Sequence, residues 1–203
     1  MKNSPVAEKI TVRYADLDPY GHLSNAVYLS FFESVRIACL RTLSKNLGLG
    51  PLEAGDLPGV RYVIAEATVR YTAPVFLDDP LYDATSVRSV GKRSFVMDYE
   101  LHTGEHFAKS RMATEGTSAQ VFYDLKTRSI RRRLEWFLSA VAALEGRPEE
   151  SLGPEGRAAE RGAPPTRAQR VRGLCRGLGY LAGSRRAWSL QGGGASRGRA
   201  RGS

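Results

Sequence analysis

A carboxylate, a tight turn and a helix start follow one another closely near the amino terminus. Asp18 precedes the turn formed by Pro19-Tyr20-Gly21, and His22 follows that turn. A helical pattern begins at Ser24 or Asn25, and both residue types are common at helix N-caps. The unpaired N–H groups at a helix start carry partial positive charge and can polarise a carbonyl oxygen. A carboxylate fixed beside such a helix start suits the hydrolysis of an activated acyl group.

The element that would hold these groups is a long helix over residues 25–47, and a sheet is expected to follow it. Apolar residues recur at three- and four-residue spacing, which gives the helix a broad apolar face. Period-two patterns rich in β-branched residues predict strands over residues 8–14, 60–74, 81–90, 94–103 and 106–123. One strand, one helix and four strands joined by short turns predict an α+β domain in which an antiparallel meander wraps around the helix. A short amphipathic helix is expected over residues 134–145.

The charge of the chain is distributed unevenly. Residues 1–147 hold 19 basic and 17 acidic side chains, whereas residues 148–203 hold 11 basic and 4 acidic ones. The second part is rich in Arg, Gly, Ala and Pro, so it is interpreted as a mostly disordered tail behind a domain spanning residues 1–147. A shifted reading frame at the end of a GC-rich gene would produce the same composition.

Several classes of protein are disfavoured by the composition. Two cysteines, Cys39 and Cys175, and three unclustered histidines support neither a disulfide framework nor a metal site. The chain has no amino-terminal apolar segment of the secretory type and no run of about 18 uncharged apolar residues. We therefore expect a cytoplasmic protein without a membrane span, a metal or a redox cofactor.

The motif D-x-D-x-x-G-H-x-x-N-x-x-Y, followed by a helix with Glu33 and Arg36, resembles the 4-hydroxybenzoyl-CoA thioesterase branch of the hotdog-fold acyl-CoA thioesterases. The resemblance extends over about residues 9–143. It implies a hotdog fold, with one long helix wrapped by a curved antiparallel sheet of about five strands, and hydrolysis of an acyl-CoA to free acid and CoA. It also implies a homodimer, or a dimer of dimers, because hotdog protomers expose a sheet edge that is normally paired.

The resemblance also assigns roles to individual residues. Asp18 would attack the thioester carbonyl or activate a water, and the backbone N–H of Asn25 would polarise the thioester oxygen. Gly21 would let the loop turn or the thioester approach closely. His22 would bind the acyl carbonyl or Asp18, or orient the loop. Asp16 would be structural and would hold the loop amides. Glu33 is the reserve candidate for the catalytic acid, because another hotdog branch uses a glutamate on its helix.

The substrate-binding residues would come from both subunits. Lys92 and Arg93, in the turn V-G-K-R-S-F, resemble the basic turn that holds the phosphates of coenzyme A in this family. The arginines at positions 131–133 could add to the positive potential of that turn, although a solvated basic face is the simpler interpretation of these arginines. Tyr62, Val63 and Ser94 of one subunit would face Asp18 and Asn25 of the other.

Three other functions remain open at this point. A hotdog hydratase or dehydratase of acyl thioesters would use a histidine with a carboxylate from elsewhere in the chain. A nucleic-acid-binding protein is suggested by the arginine-rich tail, but the domain lacks the basic face and interleaved aromatics of such proteins. An acyl-CoA binding module without turnover would share the fold, and the intact acidic loop disfavours it.

Overall fold

The structure, a computed structural model, describes residues 4–52, 56–106 and 109–153. Its elements are β1 (Val6–Ile10), a 3-10 turn (Tyr14–Asp16), α1 (Asn25–Asn46), β2 (Tyr62–Tyr71), β3 (Leu81–Val90), β4 (Ser94–Thr103), β5 (Arg111–Asp124), β6 (Ser129–Ile130), α2 (Glu135–Glu145) and α3 (Glu149–Leu152). Of the predicted tail over residues 148–203, the part from residue 154 onward lies outside the described residues. Residues before it form α3, whose Leu152 is buried.

The five main strands form one antiparallel sheet in the order β1-β3-β4-β5-β2, and the short β6 pairs with β5. The predicted meander is therefore correct only for β3, β4 and β5. The prediction was wrong for β2, which lies at the edge of the sheet opposite to β1 and pairs with β5 instead of β3. It was also wrong for the first strand, which ends at Ile10, because residues 14–16 leave the extended conformation and form the 3-10 turn.

Helix α1 packs on one face of the sheet through aromatic contacts. The ring of Phe32 stacks on that of Tyr99, with centroids 4.6 Å apart and planes 14° from parallel. Gly116 of β5 lies directly beneath Phe32, and a Cβ at this position would overlap the Phe32 ring and lie 2.8 Å from the backbone oxygen of Thr68. The helix can approach the sheet this closely because Gly116 has no side chain.

Strand β2 is an edge strand and is left largely uncovered. Val63, Ile64 and Tyr71 are 44%, 48% and 45% exposed, and the residues of β2 between Val63 and Thr68 are exposed on both faces of the sheet. A long edge with apolar side chains and unpaired backbone groups is a ready site for pairing with another chain. No helix among the described residues is long and apolar enough to cross a membrane.

Candidate active site

The acidic loop before α1 is closed on itself by backbone hydrogen bonds. The N–H of Asp18 donates to the carbonyl of His22 at 2.7 Å, and the N–H of Gly21 donates to the carbonyl of Asp18 at 3.0 Å. Leu17 and Leu23 form an antiparallel bridge at the base of the loop. Asp18 and His22 therefore lie opposite each other in a compact turn. Gly21 has a φ of +78°, and a Cβ there would meet no atom within 4 Å, so the backbone conformation is what favours glycine.

The Asp18 carboxylate is bound by its own loop through one oxygen. Its Oδ1 accepts hydrogen bonds from the N–H groups of Tyr20 at 2.8 Å and His22 at 3.1 Å. Within the described residues, Oδ2 makes no hydrogen bond. The carboxylate is half-buried, so it is held in one orientation and keeps one oxygen available for a substrate or a water. A turn-stabilising role and a catalytic role are thus compatible in this residue.

Asp16 fixes the loop to the preceding chain. Its side chain is buried, and it accepts hydrogen bonds from the backbone N–H of Arg13 at 2.8 Å and from the Arg13 guanidinium at 2.7 and 3.1 Å. The hydrogen bond to the guanidinium lowers the pKa of Asp16. The backbone oxygen of Asp16 also accepts from the N–H of Ser24 at 2.8 Å. These contacts support the predicted structural role of Asp16.

The start of α1 presents open N–H groups beside this loop. Ser24 is the N-cap, and neither its side chain nor any other side chain caps the helix by a hydrogen bond. Asn25 is the first helical residue, so a capping role for its side chain is excluded by its position. Its backbone N–H has no acceptor in the part of the chain that the structure describes, and the residue is exposed. The helix start can therefore donate to an oxygen atom of a bound molecule.

Aromatic side chains from two other segments surround this end of the helix. The hydroxyl of Tyr71, at the end of β2, donates to the carbonyl of Asn25 at 3.2 Å, and its ring meets that of Tyr28 edge to face. Burial raises the pKa of Tyr28 to about 12, and the nearby charge of Asp18 adds to the effect. The His22 ring packs edge to face against Phe76, with centroids 5.1 Å apart. The sequence interpretation missed Tyr71 and Phe76, since a strand residue and a turn residue carry no local signal of this proximity.

The predicted substrate-binding residues lie together, but at the other end of β2. Val63 of β2 and Ser94 of β4 both pair with Val121 of β5, so they occupy one row across the sheet. Lys92 and Arg93 are exposed in the turn that joins β3 to β4.

Tyr62 begins β2 and is half-buried at the same end of the strand. Its ring meets Phe95 edge to face, with centroids 5.4 Å apart. Burial raises the pKa of Tyr62 to about 12, although the nearby guanidinium of Arg36 acts in the opposite direction.

The chain thus carries two half-sites: Asp18 with the start of α1, and Tyr62, Val63 and Ser94 with the β3–β4 turn. The hydroxyl of Tyr71 binds the carbonyl of Asn25 at one end of β2, whereas Tyr62 begins the strand at the other end. At about 3.3 Å per residue, the two ends of β2 are roughly 30 Å apart. The sequence interpretation had assigned Asp18 and the Tyr62 group to different subunits, and within one chain they are indeed far apart.

The reserve candidate Glu33 lies beside Arg36, whose guanidinium is close to Tyr62. Its side chain is 63% exposed and accepts a hydrogen bond at 3.3 Å from Arg36, which is buried. Arg36 also donates to the hydroxyl of Tyr99 at 3.4 Å. Glu33 therefore serves as counter-ion to a buried guanidinium. Among the described residues, no cluster of three or more His, Cys, Asp or Glu side chains could hold a metal ion.

Comparison with known proteins gives a family and a fold. A family model described as the thioesterase-like superfamily matches residues 12–172. A thioesterase from Thermus thermophilus, solved in complex with coenzyme A and Zn, is 28% identical, with a TM-score of 0.60 over 73% of this chain and 99% of that one. A comparison with curated proteins found no significant match.

More distant solved structures share the fold. A 1,4-dihydroxy-2-naphthoyl-CoA thioesterase from Synechocystis is 16% identical, with a TM-score of 0.55 over 70% of this chain and 98% of that one. A DHNA-CoA thioesterase from Staphylococcus aureus is 19% identical, with a TM-score of 0.58 over 70% of this chain and 91% of that one. These similarities confirm the predicted hotdog fold, in which a curved antiparallel sheet wraps around one long helix.

Proposed function

The chain belongs to the thioesterase-like superfamily, and from this premise we propose that it hydrolyses acyl-CoA thioesters to a free carboxylic acid and CoA. The observation that carries the proposal is the pairing of Asp18 with the start of α1. One oxygen of Asp18 is fixed by two loop amides and the other is open, while the N–H of Asn25 has no acceptor among the described residues. A base or nucleophile and an oxyanion donor are the two groups that acyl transfer requires.

The proposed chemistry follows from these two groups. In the general-base route, Asp18 takes a proton from water, the hydroxide adds to the thioester carbon, and the N–H of Asn25 stabilises the oxyanion. The C–S bond then breaks, and the CoA thiolate leaves with the proton held by Asp18. In the nucleophilic route, Asp18 attacks the carbonyl itself, the C–S bond breaks and the CoA thiolate leaves. Water then hydrolyses the resulting anhydride, which frees the acid, restores Asp18 and supplies the proton of the CoA thiol. His22 and Gly21 act as positioning residues, since the N–H of His22 binds the Asp18 carboxylate and the N–H of Gly21 binds the backbone carbonyl of Asp18.

A homodimer joined through β2 would complete each site. Antiparallel pairing of two β2 edges would extend the sheet across both subunits and cover the exposed Val63, Ile64 and Tyr71. The same pairing brings the Tyr71 end of one β2 beside the Tyr62 end of the other. Asp18 and Asn25 of one subunit would then face Tyr62, Val63 and Ser94 of the second subunit. An exposed edge of this length and composition supports the arrangement.

The basic end of the sheet would bind the phosphates of CoA. The N–H of Arg133 donates to the carbonyl of Lys92 at 3.0 Å, and the N–H of Phe122 donates to the carbonyl of Arg93 at 2.9 Å. These bonds bring the arginines at positions 131–133 next to the β3–β4 turn, so the two basic segments form one cationic surface. Several fixed cations suit a ligand with several phosphate charges. The coenzyme A in the Thermus thermophilus thioesterase structure supports the same class of ligand here.

The test is thiol release from a panel of short, long, branched and aromatic acyl-CoAs. We expect Asp18→Asn to lower kcat at least about 100-fold, since general-base catalysis contributes 10²–10⁴-fold, and to leave the melting temperature unchanged. Asp124 is a matched control because its Oδ1 likewise accepts two backbone N–H groups, those of Lys126 and Thr127. Asp124→Asn should therefore keep the wild-type kcat. Wild-type kcat in Asp18→Asn, or acyl-CoA consumption without thiol release, would contradict the proposal.

A further inference from the structure

Three polar side chains form a line of hydrogen bonds on the face of the sheet opposite α1. The Oγ of Ser110 lies 3.0 Å from Nδ1 of His102, and Nε2 of His102 lies 2.9 Å from Oε2 of Glu100. Tyr99 faces α1, where its ring stacks on Phe32. Successive strand residues alternate between faces, so Glu100 and His102 point away from the helix. This Ser110–His102–Glu100 relay is therefore separate from the acidic loop and the start of α1.

The hydrogen-bond acceptors of the relay determine which of its atoms carry hydrogens. The Glu100 carboxylate can only accept, so Nε2 of His102 carries a hydrogen and donates it. In the neutral imidazole Nδ1 is then the acceptor, and the hydroxyl of Ser110 donates to it. A serine that donates to a histidine, with the histidine oriented by a carboxylate, is the arrangement that activates hydroxyl nucleophiles. The His102 and Glu100 side chains are only 14% and 16% exposed, so these hydrogen bonds are partly withdrawn from water.

The backbone of β4, the turn after it and the start of β5 position the three residues of the relay. Glu100 and His102 are two residues apart on β4, which places them on one face, and Ser110 directly precedes β5. Gly104 has a φ of +146°, and a Cβ there would lie 3.0 Å from the Cα of Ser110. Ser110 is thus held against the turn that follows β4, with its hydroxyl directed to the His102 ring.

We propose that Ser110 is the nucleophile of a second hydrolytic centre that takes small activated esters. Ser110 Oγ would attack the ester carbonyl while its proton moves to Nδ1 of His102, and Glu100 would stabilise the imidazolium. The C–O bond breaks, the alcohol leaves with that proton, and the acyl group remains as an ester on Ser110. A water then gives a proton to His102 and adds to the acyl carbon. The bond to Ser110 Oγ breaks, Oγ takes the proton back from His102, and the acid is released. Lys109, an exposed cation next to Ser110 in the chain, would attract the developing oxyanion.

The first test is covalent labelling of the full chain with a fluorophosphonate, in which Oγ displaces fluoride from phosphorus. Intact-mass and peptide analysis should find one adduct, on Ser110, and none in Ser110→Ala. His102→Gln should slow labelling at least about 100-fold, in line with loss of a general base. Ser139 is a matched control because its hydroxyl bonds directly to Glu149, without an intervening histidine. Ser139→Ala should label like the wild type.

The second test is turnover of p-nitrophenyl acetate in an Asp18→Asn background, which removes the proposed thioesterase activity. Asp18→Asn should retain ester hydrolysis, and adding Ser110→Ala should abolish it, with unchanged circular dichroism in both variants. The proposal is overturned if Ser110 carries no adduct, if His102→Gln labels at the wild-type rate, or if the double variant hydrolyses the ester as fast as Asp18→Asn.

Discussion

Two inactive variants should restore activity when they share one dimer, because each proposed site takes its halves from different subunits. The first variant is Asp18→Asn, which removes the base. The second is the pair Lys92→Glu and Arg93→Glu, which reverses the charge of the β3–β4 turn. In one chain these positions lie toward opposite ends of β2, which are roughly 30 Å apart at about 3.3 Å per residue. In a dimer paired through β2, Asp18 and the β3–β4 turn of one chain therefore belong to two different sites.

The expected magnitude follows from counting sites. A heterodimer of the two variants has one site with both lesions and one site with neither, since the two subunits are related by a two-fold axis. Its kcat/KM per dimer should be about one half of the wild-type value, because one of the two sites is intact. If instead each site were built within one chain, both sites of the heterodimer would carry a lesion, and activity would stay at the level of the two parents.

The assay uses coexpressed subunits with two different affinity tags, so that only the heterodimer is recovered. Thiol release is measured at an acyl-CoA concentration far below KM, where loss of phosphate binding has its full effect. A pantetheine thioester, which lacks the phosphates, serves as the control: the Lys92→Glu and Arg93→Glu variant should hydrolyse it at nearly the wild-type rate. Heterodimer activity no higher than the mean of the parents refutes the shared site. Isolation of the active wild type as a monomer refutes it as well.

Two further predictions concern the packing of the domain. Gly116→Ala should lower the free energy of unfolding by about 3 kcal/mol, the upper end for overpacked cores. The reason is that the new Cβ would overlap Phe32 and approach the rigid backbone oxygen of Thr68. A loss of unfolding free energy below about 1 kcal/mol, measured by urea unfolding, would contradict this prediction. Asp83 is fully buried, neither of its carboxylate oxygens has a hydrogen-bond partner among the described residues, and burial raises its pKa well above the ordinary value. The folded state therefore retains a proton that the unfolded state loses. Between pH 5 and 6 the free energy of unfolding of the wild type should fall by up to about 1.4 kcal/mol relative to that of Asp83→Asn. An equal difference in unfolding free energy between the two proteins at both pH values would contradict the assignment.

Local signals predicted the elements that local chemistry determines. The helix over residues 25–47 and the strands over residues 81–90 and 94–103 agree with α1, β3 and β4 to within a residue. Gly91-Lys92-Arg93 predicted the turn between β3 and β4, and the residues after the Pro-Tyr-Gly turn predicted the start of α1. The structural role predicted for Asp16 agrees with its bonds to Arg13, but the loop amides predicted to bind Asp16 bind Asp18 instead.

The position of β2 could not be predicted, since strand order depends on contacts between distant residues. Its alternating pattern is equally compatible with pairing to β3 or to β5, and only the packed sheet distinguishes them. For the same reason the sequence could not show that Tyr71 reaches Asn25, or that Phe76 reaches His22. The relay of Ser110, His102 and Glu100 likewise depends on how β4 and the start of β5 face each other.

Because β2 is an exposed edge strand, a second chain can pair with it, so the two half-sites need not lie close together within one chain. Helix α1 packs on β1 and β3, and its Phe32 reaches β5 at Gly116, whereas residues 63–68 of β2 stay exposed. These exposed residues of β2 consequently contribute little to the core of the single chain, and the apolar surface of Val63 and Ile64 remains available. Hydrophobic burial of that surface at about 25 cal/mol per Å² would stabilise a dimer, and antiparallel pairing would bring each base beside a phosphate-binding turn. In the proposed enzyme, the association that covers β2 therefore also assembles the site.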